Sequence, residues 1–313
     1  MTSPWLSLII PYNLNYGTDF ERALSSVFTQ IGVDLNQLEV IAVNDGGPAL
    51  SEGITERWPL REYLMTESRG AGVARQTGLN HAHGAYAMFL DADDMLASPI
   101  VLHDFFKASR ASPDVIVAPF WGESRAGEGV DYTLHAASDH SAVYAKAFRM
   151  GYLKRIGLTF HPSLRVYEDV YFTSLALDLT TSITRLTRPA YVWRLNWQST
   201  GRRDHFSMAF NDAAWLQSGR YRLQFIQSHA ADRWGHDFYE LISGLYVHAK
   251  KYPPSDLAAL KDEVRKLMAE NRQWWQLHDA HALVRRLAID KAQAQNLKSS
   301  DIDDYLDFLE EQT

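Results

Sequence analysis

The chain has 313 residues, of which 46% are hydrophobic and 22% charged, as in an ordinary globular protein with a substantial core. A net charge of −7 argues against general nucleic-acid or anionic-membrane binding, and the lack of cysteine excludes disulfides, thiolate zinc sites and cysteine nucleophiles. No stretch approaches the roughly 18 apolar residues of a transmembrane helix. We therefore expect a soluble, cytoplasmic protein, with peripheral attachment at the inner membrane surface left open.

The first 120 residues alternate between strand and helix patterns. The predicted elements are strands over 6–10, 38–43, 60–65, 86–90 and 115–118, and helices over 20–30, 72–81 and 98–110. Pro11 is expected to stop the first strand, Thr18 or Asp19 to cap the first helix, and Ser98-Pro99 to start the third. Strands that alternate with helices indicate a mostly parallel sheet covered on both faces.

The pattern loosens after residue 120. Residues 122–129 are predicted to form a loop or hairpin, 141–156 and 168–178 helices, and 191–194 a strand. Beyond residue 206 almost everything is predicted to be helical, with a clear break at 252–254 and a docked amphipathic helix in the acidic last thirteen residues. We accordingly divide the chain into a domain over 1–205 and a helical region over 206–313.

Three carboxylates crowd the end of the strand over 86–90, namely Asp91, Asp93 and Asp94. Carboxylates crowded in this way repel one another and lose hydration, so they need a cation or hydrogen-bond donors. Oxygen ligands in a small cluster suit Mg²⁺ or Mn²⁺, ions that commonly link protein carboxylates to substrate phosphates. A plain alternative is a solvated turn in which Asp94 or Ser98 caps the following helix.

Four other polar segments follow predicted strands or begin predicted helices, where they could contribute to the same site. They are Pro11-Tyr12-Asn13, Asn44-Asp45-Gly46-Gly47, the stretch from Arg69 through Gly72 to Arg75, and Glu168-Asp169. Ligands of open α/β sheets bind beyond the carboxyl ends of the strands. Asp45 can accept an imino hydrogen bond from a pyrimidine base, and Arg75 can supply positive charge for base or phosphate. Taken singly, Asp45 could equally belong to a plain turn and Arg75 be a surface charge.

In this order the segments resemble the large inverting family 2 of glycosyltransferases with the GT-A fold, over roughly residues 4–200. The matching stretches are 6–13 for the opening strand, 38–47 for the nucleoside loop, 69–79 for the arginine-bearing helix, 85–94 for the metal motif and 148–172 for the acceptor side. Asn44, Gly47 and Gln76 depart from the family's usual aspartate, serine and asparagine. The chain lacks the Gln-x-x-Arg-Trp segment of the processive synthases, which favours a non-processive enzyme.

The resemblance implies an α/β GT-A fold, Rossmann-like with a mostly parallel central sheet and helices on both faces, followed by a mainly α-helical C-terminal region. It also implies transfer of a sugar from a nucleotide-sugar, UDP-linked, to an acceptor hydroxyl by single displacement with inversion. The residues implied to bind the nucleotide-sugar are Pro11, Tyr12, Asn13, Asn44, Asp45, Arg69, Gly72, Arg75, Asp91, Ala92 and Arg194.

Metal and catalytic roles follow from the same resemblance. Asp93 is the implied principal ligand of Mn²⁺ or Mg²⁺, with Asp91 acting directly or through water and His205 as a candidate third ligand. Asp169 is the implied base that deprotonates the acceptor, and the N-terminus of its helix is expected to keep it ionised. Glu168 would orient this base or contact the acceptor.

Two competing functions stay open on the sequence. A sugar-nucleotide type of nucleotidyltransferase shares the sheet and the acidic ligands, but usually has a basic glycine-rich loop after its first strand, which Pro11-Tyr12-Asn13-Leu14-Asn15 does not provide. A catalytically inactive binding or scaffold protein is the other. The acceptor is left open among glycans, lipid-linked glycans, proteins and modified nucleic acids. The region over 206–313 is assigned to acceptor binding or to a homo-oligomer.

Overall fold

The structure, a computed structural model, describes residues 3–13, 17–126, 129–196 and 212–313. The chain forms two compact units, Met1–Asn196 and Trp197–Thr313. The boundary predicted between residues 205 and 206 lies outside the described residues. Within the described ranges, no helix combines the length and apolar character needed to cross a membrane.

The first unit contains two β-sheets. Its strands are β1 (Leu6–Tyr12), β2 (Leu38–Asn44), β3 (Arg61–Leu64), β4 (Tyr86–Phe89), β5 (Met95–Leu96), β6 (Val115–Val117), β7 (Phe120–Ala126), β8 (Gly129–His135), β9 (Lys146–Arg149), β10 (Ile183–Arg185) and β11 (Tyr191–Trp193). The larger sheet has the order β10-β6-β9-β4-β1-β2-β3, and the smaller one has the order β5-β11-β7-β8. Strand β9 runs antiparallel to β4 and β6, and the other pairings of the larger sheet are parallel. The mostly parallel sheet is therefore confirmed. The predicted hairpin over 122–129 and strand over 191–194 fall on β7, β8 and β11 of the smaller sheet, but the assembly of that sheet was not predicted.

Helices cover both faces of the larger sheet. They are α1 (Thr18–Phe28), α2 (Glu52–Arg57), α3 (Ala71–His81), α4 (Val101–Ser109), α5 (Met150–Ile156) and α6 (Glu168–Asp178). On one face, Leu8 of β1 belongs to the same buried cluster as Leu24 of α1 and Phe105 of α4. On the other face, α3 comes so close that a Cβ atom on Gly78 would lie 2.4 Å from Ile9. Successive residues of β1 thus bury opposite faces, as a central strand requires.

Strand β1 continues through Pro11 to Tyr12, so the prediction that Pro11 stops it is wrong. The Ile9 carbonyl accepts the Leu90 amide at 3.0 Å on the β4 side, and the Tyr12 carbonyl accepts the Asp45 amide at 2.6 Å on the β2 side. Because backbone groups alternate along a strand, the nitrogen of Pro11 faces the β4 side, beyond the pairing that ends at Ile9. The proline therefore removes no ladder hydrogen bond.

Two predicted helix starts are also wrong. Helix α1 has Gly17 as its N-cap, at φ 52°, and no side chain caps it. Helix α4 begins at Val101 rather than at Ser98-Pro99, because residues 97–100 form a turn before it. In both cases the backbone reaches the helix without the side-chain cap that the sequence offered.

The largest error lies between residues 141 and 156. The apolar pattern predicted one helix there, but Lys146–Arg149 form β9 and the helix α5 covers only Met150–Ile156. Strand β9 pairs with β4 and β6, which precede it in the chain, so no local periodicity reveals the pairing. Ala145, at φ 55°, adopts a left-handed conformation just before the strand.

The second unit is helical over its described residues 212–313, as predicted. Its helices are α7 (Asp212–His229), α8 (Trp234–Lys251), α9 (Leu257–Glu270), α10 (Arg272–Trp275), α11 (Ala280–Ala294) and α12 (Ile302–Glu310). Pro253 and Pro254 lie in the gap between α8 and α9, which confirms the predicted break. The acidic C-terminal helix is docked through Ile302 and Leu309, which are both buried.

Candidate active site

The ends of β1, β2 and β4 meet at one edge of the larger sheet. Tyr12, the last residue of β1, is paired with Asn44, the last residue of β2. Beyond them, Asp45 follows β2 and Asp91 lies two residues past β4. The parallel arrangement therefore gathers at this edge the strand-end segments that the sequence singled out.

The carboxylate of Asp45 is buried, with 4% of the residue exposed. It accepts hydrogen bonds from the amide of Arg69 at 2.7 Å, the amide of Gly70 at 2.9 Å and the hydroxyl of Ser68 at 2.9 Å. Gly70 has φ 94°, which a residue with a side chain rarely adopts. Asp45 thus fixes the loop that leads into α3, and its proposed contact with a base stays a prediction.

The two departures after β2 have structural reasons. Asn44 donates from Nδ2 to the Pro48 carbonyl at 2.7 Å and accepts the Gly47 amide at 2.6 Å, so it closes the turn. A Cβ atom on Gly47 would lie 1.7 Å from the carbonyl oxygen of Asn13. The same Asn44 amide donates to the hydroxyl of Tyr12 at 3.0 Å. Asn44 and Gly47 are therefore what lets the Tyr12-Asn13 segment pack against this turn.

The three clustered aspartates have different partners. Asp91 accepts a hydrogen bond at 2.8 Å from Arg75, and Asp93 accepts one at 2.6 Å from the side-chain amide of Asn196. Asp94, with 1% of the residue exposed, accepts the Tyr191 hydroxyl at 2.6 Å and the Arg194 amide at 2.7 Å. Asp94 therefore connects the acidic turn to β11 and does not cap the following helix. Asp91 and Asp93 remain as the candidate metal ligands of the turn.

Asp91 and Asp93 fit a divalent cation that takes most of its ligands from substrate and water. Burial and the negative charge of Asp91 raise the pKa of Asp93, against the hydrogen bond from Asn196. A cation between the two carboxylates would relieve this repulsion. No cluster of three or more potential metal-binding side chains occurs among the described residues. One or two carboxylates with phosphates and water form a common Mg²⁺ set, whereas His205 lies outside the described residues.

Arg75 joins the acidic turn to the start of α6. Only 5% of this residue is exposed, and its guanidinium group donates at 2.8 Å to Asp91 and at 2.8 Å to Glu168. Burial opposes its charge, but Asp91, Glu168 and Asp169 outweigh this effect and raise the pKa of Arg75. Gly72 makes room for the pair, because a Cβ atom there would lie 2.7 Å from Cγ of Glu168.

Glu168 and Asp169 begin α6, as predicted, after Tyr167 in a left-handed conformation at φ 59°. Burial raises the pKa of Glu168 although Arg75 opposes the rise. Burial and the charge of Glu168 raise the pKa of Asp169 to about 7. The expectation that the helix N-terminus keeps Asp169 well ionised is therefore not met, because desolvation exceeds the favourable hydrogen bond from the Val170 amide.

The remaining predicted residues surround this cluster in different ways. Ala92 is buried in the acidic turn, and the side chain of Arg69 is exposed. Arg194 is 28% exposed at its side chain and forms ion pairs with Asp19 at 3.4 Å and Glu123 at 3.6 Å. Its contact with a diphosphate stays a prediction.

Tyr191 and Asn196 were missed as supports of the acidic turn. Tyr191 accepts the Asp91 amide at 3.1 Å in addition to its bond with Asp94. Tyr191 lies in the predicted strand over 191–194, and Asn196 lies two residues beyond it. Their pairing partners lie about one hundred residues earlier, as the spacings of 97 and 103 residues show, and only the folded sheet reveals them.

A model of the family described as glycosyl transferase family 2 matches residues 7–173, more than half of the chain. The chain belongs to glycosyl transferase family 2. Glycosyltransferase EpsJ of Bacillus subtilis (strain 168), described as uncharacterized, is 25% identical over 217 residues, which cover 62% of this chain and 62% of EpsJ. The match therefore covers less than two-thirds of the length of EpsJ.

Solved structures confirm the GT-A fold. S. aureus TarS 1–349 in complex with UDP-GlcNAc has a TM-score of 0.64 at 17% identity, covering 93% of this chain and 92% of that chain. The mannosyltransferase PcManGT from Pyrobaculum calidifontis, in complex with GDP-Man and Mn²⁺, has a TM-score of 0.51 at 15% identity, covering 98% and 86%. The family match includes the strand ends, Arg75, the acidic turn and Glu168-Asp169.

Proposed function

We propose that this protein is an inverting, metal-dependent glycosyltransferase that moves a sugar from a UDP-sugar to an acceptor hydroxyl. The observation that carries the proposal is the Arg75 bridge, which brings the carboxylates of Asp91 and Glu168 to the same guanidinium group. This bridge supports a site in which Asp91 and Asp93 would hold the metal and diphosphate near the candidate base Asp169, and all of these residues lie in the family-matched region. The UDP-GlcNAc complex of TarS supports a uridine donor.

The metal part rests on the pair Asp91 and Asp93. These residues would hold Mn²⁺ or Mg²⁺, and the bound ion would neutralise charge on the departing diphosphate. The Mn²⁺ complex of PcManGT supports this use of the fold. Arg75 holds Asp91 in place from one side at 2.8 Å, and Asn196 holds Asp93 at 2.6 Å.

The nucleoside is assigned to the edge formed by β1 and β2. Strand β1 ends there with Pro11 and Tyr12, Asn13 follows it, and the turn from Asn44 to Gly47 packs directly against this segment. The buried Asp45 carboxylate shapes this wall by fixing the loop before α3. Arg69 and Arg194 are assigned to the charged part of the donor, because their backbone amides bind Asp45 and Asp94 at this edge.

In the proposed reaction, Asp169 accepts the proton of the acceptor hydroxyl. The hydroxyl oxygen forms a bond to the anomeric carbon while the bond from that carbon to the diphosphate oxygen breaks, with inversion. A base with a pKa near the working pH is effective in this role, and burial brings the pKa of Asp169 to about 7. Glu168, fixed by Arg75, keeps the base aligned.

The test is donor cleavage by the full chain with Mn²⁺, with UDP-GlcNAc as the first probe and other nucleotide-sugars after it. Wild type should release UDP, and Asp93→Asn should not. Asp104→Asn is the matched control, because Asp104 pairs with Arg188 at 2.9 Å on α4. Release of pyrophosphate would instead indicate nucleotidyl transfer. No cleavage of any donor would favour a binding or scaffold protein.

Residues 206–313 are proposed to bind the acceptor or to build a homo-oligomer, and 1–205 to be the catalytic domain. The described helices of 212–313 form their own buried cluster around Phe238 and Val264. A truncation after residue 203 that stays monodisperse and fully active on the true acceptor would contradict both roles. The cytoplasmic location is likewise a proposal, and fractionation of cells with a tagged chain tests it.

A further inference from the structure

The segment Tyr144–Lys146 reaches the same sheet edge as the acidic turn. It leads into β9, and β9 runs antiparallel to β4, so β9 begins where β4 ends. Lys146 is paired with Val117 at the end of β6, and the Ala145 carbonyl accepts the Ala118 amide at 2.9 Å. Tyr144 therefore lies at the edge that carries Asp91, although the sequence placed it in a helix.

The ring of Tyr144 is held against β11 and β7. It stacks on Tyr191 with a centroid distance of 4.4 Å and an interplanar angle of 8°, and it meets Phe120 edge-on at 5.0 Å. Tyr191 is itself bonded to Asp94 at 2.6 Å and to the Asp91 amide at 3.1 Å. Aromatic packing thus fixes Tyr144 to the same support that holds the acidic turn.

The hydroxyl of Tyr144 forms no hydrogen bond with the described residues, and it is not one of their fully buried, unpaired polar atoms. The hydroxyl therefore keeps accessible surface, although only 9% of the residue is exposed. Among the other buried tyrosines of this unit, Tyr86 donates to the Pro113 carbonyl, Tyr152 to the Ala176 carbonyl and Tyr191 to Asp94. Tyr171 is buried on α6, and burial alone raises the pKa of its hydroxyl. Because this hydroxyl of Tyr144 is accessible and lies at the site edge, it is available to a ligand that binds there.

The charges that act on this hydroxyl agree with its place at the site edge. Besides burial, the negative charges of Asp94, Asp169 and Asp91 raise the pKa of Tyr144, so the hydroxyl keeps its proton. The hydroxyl therefore lies within the field of the acidic turn and of the proposed base, and also of Asp139 in the preceding loop. In a single displacement the anomeric carbon lies between the leaving diphosphate and the base. A hydroxyl in the field of both the acidic turn and the proposed base can therefore reach the transferred sugar.

The segment is also held rigidly. Ala145 is in the left-handed region at φ 55°, a conformation that residues with a side chain rarely adopt. Lys146 has 1% of its surface exposed and donates to the Ala142 carbonyl at 2.6 Å. The carboxylate of Asp139 accepts the Ala142 amide at 2.9 Å on the other side of that peptide. Strain that the surroundings enforce in this way is common at functional sites.

We propose that Tyr144 is a further donor-binding residue, whose hydroxyl forms a hydrogen bond with the transferred sugar of the nucleotide-sugar. This rests on the proposed glycosyltransferase function. The ligand class is a carbohydrate hydroxyl or its N-acyl group, because the protonated phenol both donates and accepts one bond. The residue acts on donor recognition and orientation, and the proton acceptor remains Asp169.

The test compares Tyr144→Phe with Tyr86→Phe, a control that removes a buried hydroxyl bonded to Pro113 at 2.7 Å, at the start of β4. Calorimetry with UDP and with UDP-GlcNAc, in the presence of Mn²⁺, measures both affinities for the full chain. In Tyr144→Phe the affinity for UDP-GlcNAc should fall roughly three- to tenfold, as for one lost hydrogen bond, with the affinity for UDP unchanged. Tyr86→Phe should change neither affinity.

Three results would overturn the assignment. Unchanged UDP-GlcNAc affinity in Tyr144→Phe means that the hydroxyl does not contact the sugar. Equal weakening of UDP and UDP-GlcNAc means that it supports the nucleotide side instead. Failure of the wild type to bind or cleave any nucleotide-sugar contradicts the proposed function as well. Wild-type cleavage that depends on Asp93 while Tyr144→Phe is unaltered contradicts only the present inference.

Discussion

Arg75 and Glu168 are joined by a hydrogen bond of 2.8 Å, although 93 residues separate them in the sequence. The bond links the first turns of α3 to the first residue of α6. The other end of the same guanidinium group holds Asp91. Three segments that approach the sheet edge separately are therefore positioned by one buried cation, and the site depends on the planar, bidentate geometry of arginine.

Arg75→Met should destabilise the fold and abolish donor cleavage. Removing the cation leaves the buried Glu168 and the partly exposed Asp91 without their partner, and breaking a buried ion pair costs about 3–5 kcal/mol. Urea unfolding of the apo protein measures the loss. Arg57→Met is the matched control, because Arg57 is 63% exposed and its pair with Glu21 at 3.3 Å lies on the surface. A similar small loss in both variants would contradict the bridging role.

Gly72→Ala should displace Glu168 and lower donor turnover. The added methyl group would lie 2.7 Å from Cγ of Glu168, which is under the closest approach of real carbon atoms. Gly151→Ala is the control, because Gly151 lies in helix α5 with nothing within 4 Å of the added atom. That change should stabilise the protein by up to about 1 kcal/mol through helix propensity. Equal turnover in both variants would show that Glu168 needs no such room.

The sequence predicted the strand ends because apolar runs and polar turns are local signals. The strand before Asp91 and the helix that Glu168 begins are confirmed by the structure, with α6 at its predicted bounds of 168–178. The sequence could not show which aspartates of the acidic turn are free to bind a metal. Asp94 accepts hydrogen bonds from the Tyr191 hydroxyl and the Arg194 amide. Those bonds depend on the assembly of the smaller sheet, which no local pattern predicts.

The Tyr144–Lys146 segment was missed for a related reason. Its residues lie among apolar neighbours at helical spacing, so the period favoured a helix. Strand β9 exists because β4 and β6 offer it two edges, and only the tertiary fold supplies them. Tertiary pairing therefore overrode a local preference, and it placed Tyr144 at the site.

Asp93→Asn should keep the fold but abolish the rise in melting temperature that Mn²⁺ with UDP causes in the wild type. The wild-type pKa of Asp93 is raised by burial and by Asp91, so a neutral amide relieves repulsion and the apo melting temperature should stay level or rise. Mn²⁺ with UDP should raise the melting temperature of the wild type, because a ligand that binds only the folded state stabilises it. An equal rise in Asp93→Asn would exclude this carboxylate as a ligand.

Lys146 should make the folded protein more stable as the pH rises above 8. Burial lowers the pKa of Lys146 to about 8 from 10.5. Between these values the unfolded chain binds more protons than the folded one, so the free energy of unfolding increases with pH, by roughly 3 kcal/mol in total. Below pH 8 both states are protonated and this contribution is flat.

The measurement is urea unfolding of wild type and Lys146→Met from pH 7 to 10.5. The stability difference between them should rise in favour of the wild type across that window. The exposed Lys107 of α4 gives the control Lys107→Met, which should keep the wild-type slope. Parallel wild-type and Lys146→Met curves would show that the ammonium group is not desolvated.

Asp169→Asn should bind the nucleotide-sugar like wild type but transfer the sugar roughly 10²–10⁴ times more slowly, as for a lost general base. The base works only as a carboxylate, and its pKa is raised to about 7 by burial and by Glu168. Wild-type kcat/KM should therefore rise with pH through an inflection near 7. Asp104→Asn, remote from the site, should preserve both the rate and the inflection.

Glu168→Gln separates the two acids. Removing the negative charge that raises the pKa of Asp169, and freeing the charge of Arg75 to act on it, both favour the carboxylate form. The inflection should move to lower pH, with a milder loss of maximal rate than in Asp169→Asn. If Glu168→Gln abolishes transfer while Asp169→Asn barely slows it, Glu168 is the proton acceptor, because only the group that takes the proton is indispensable at every pH.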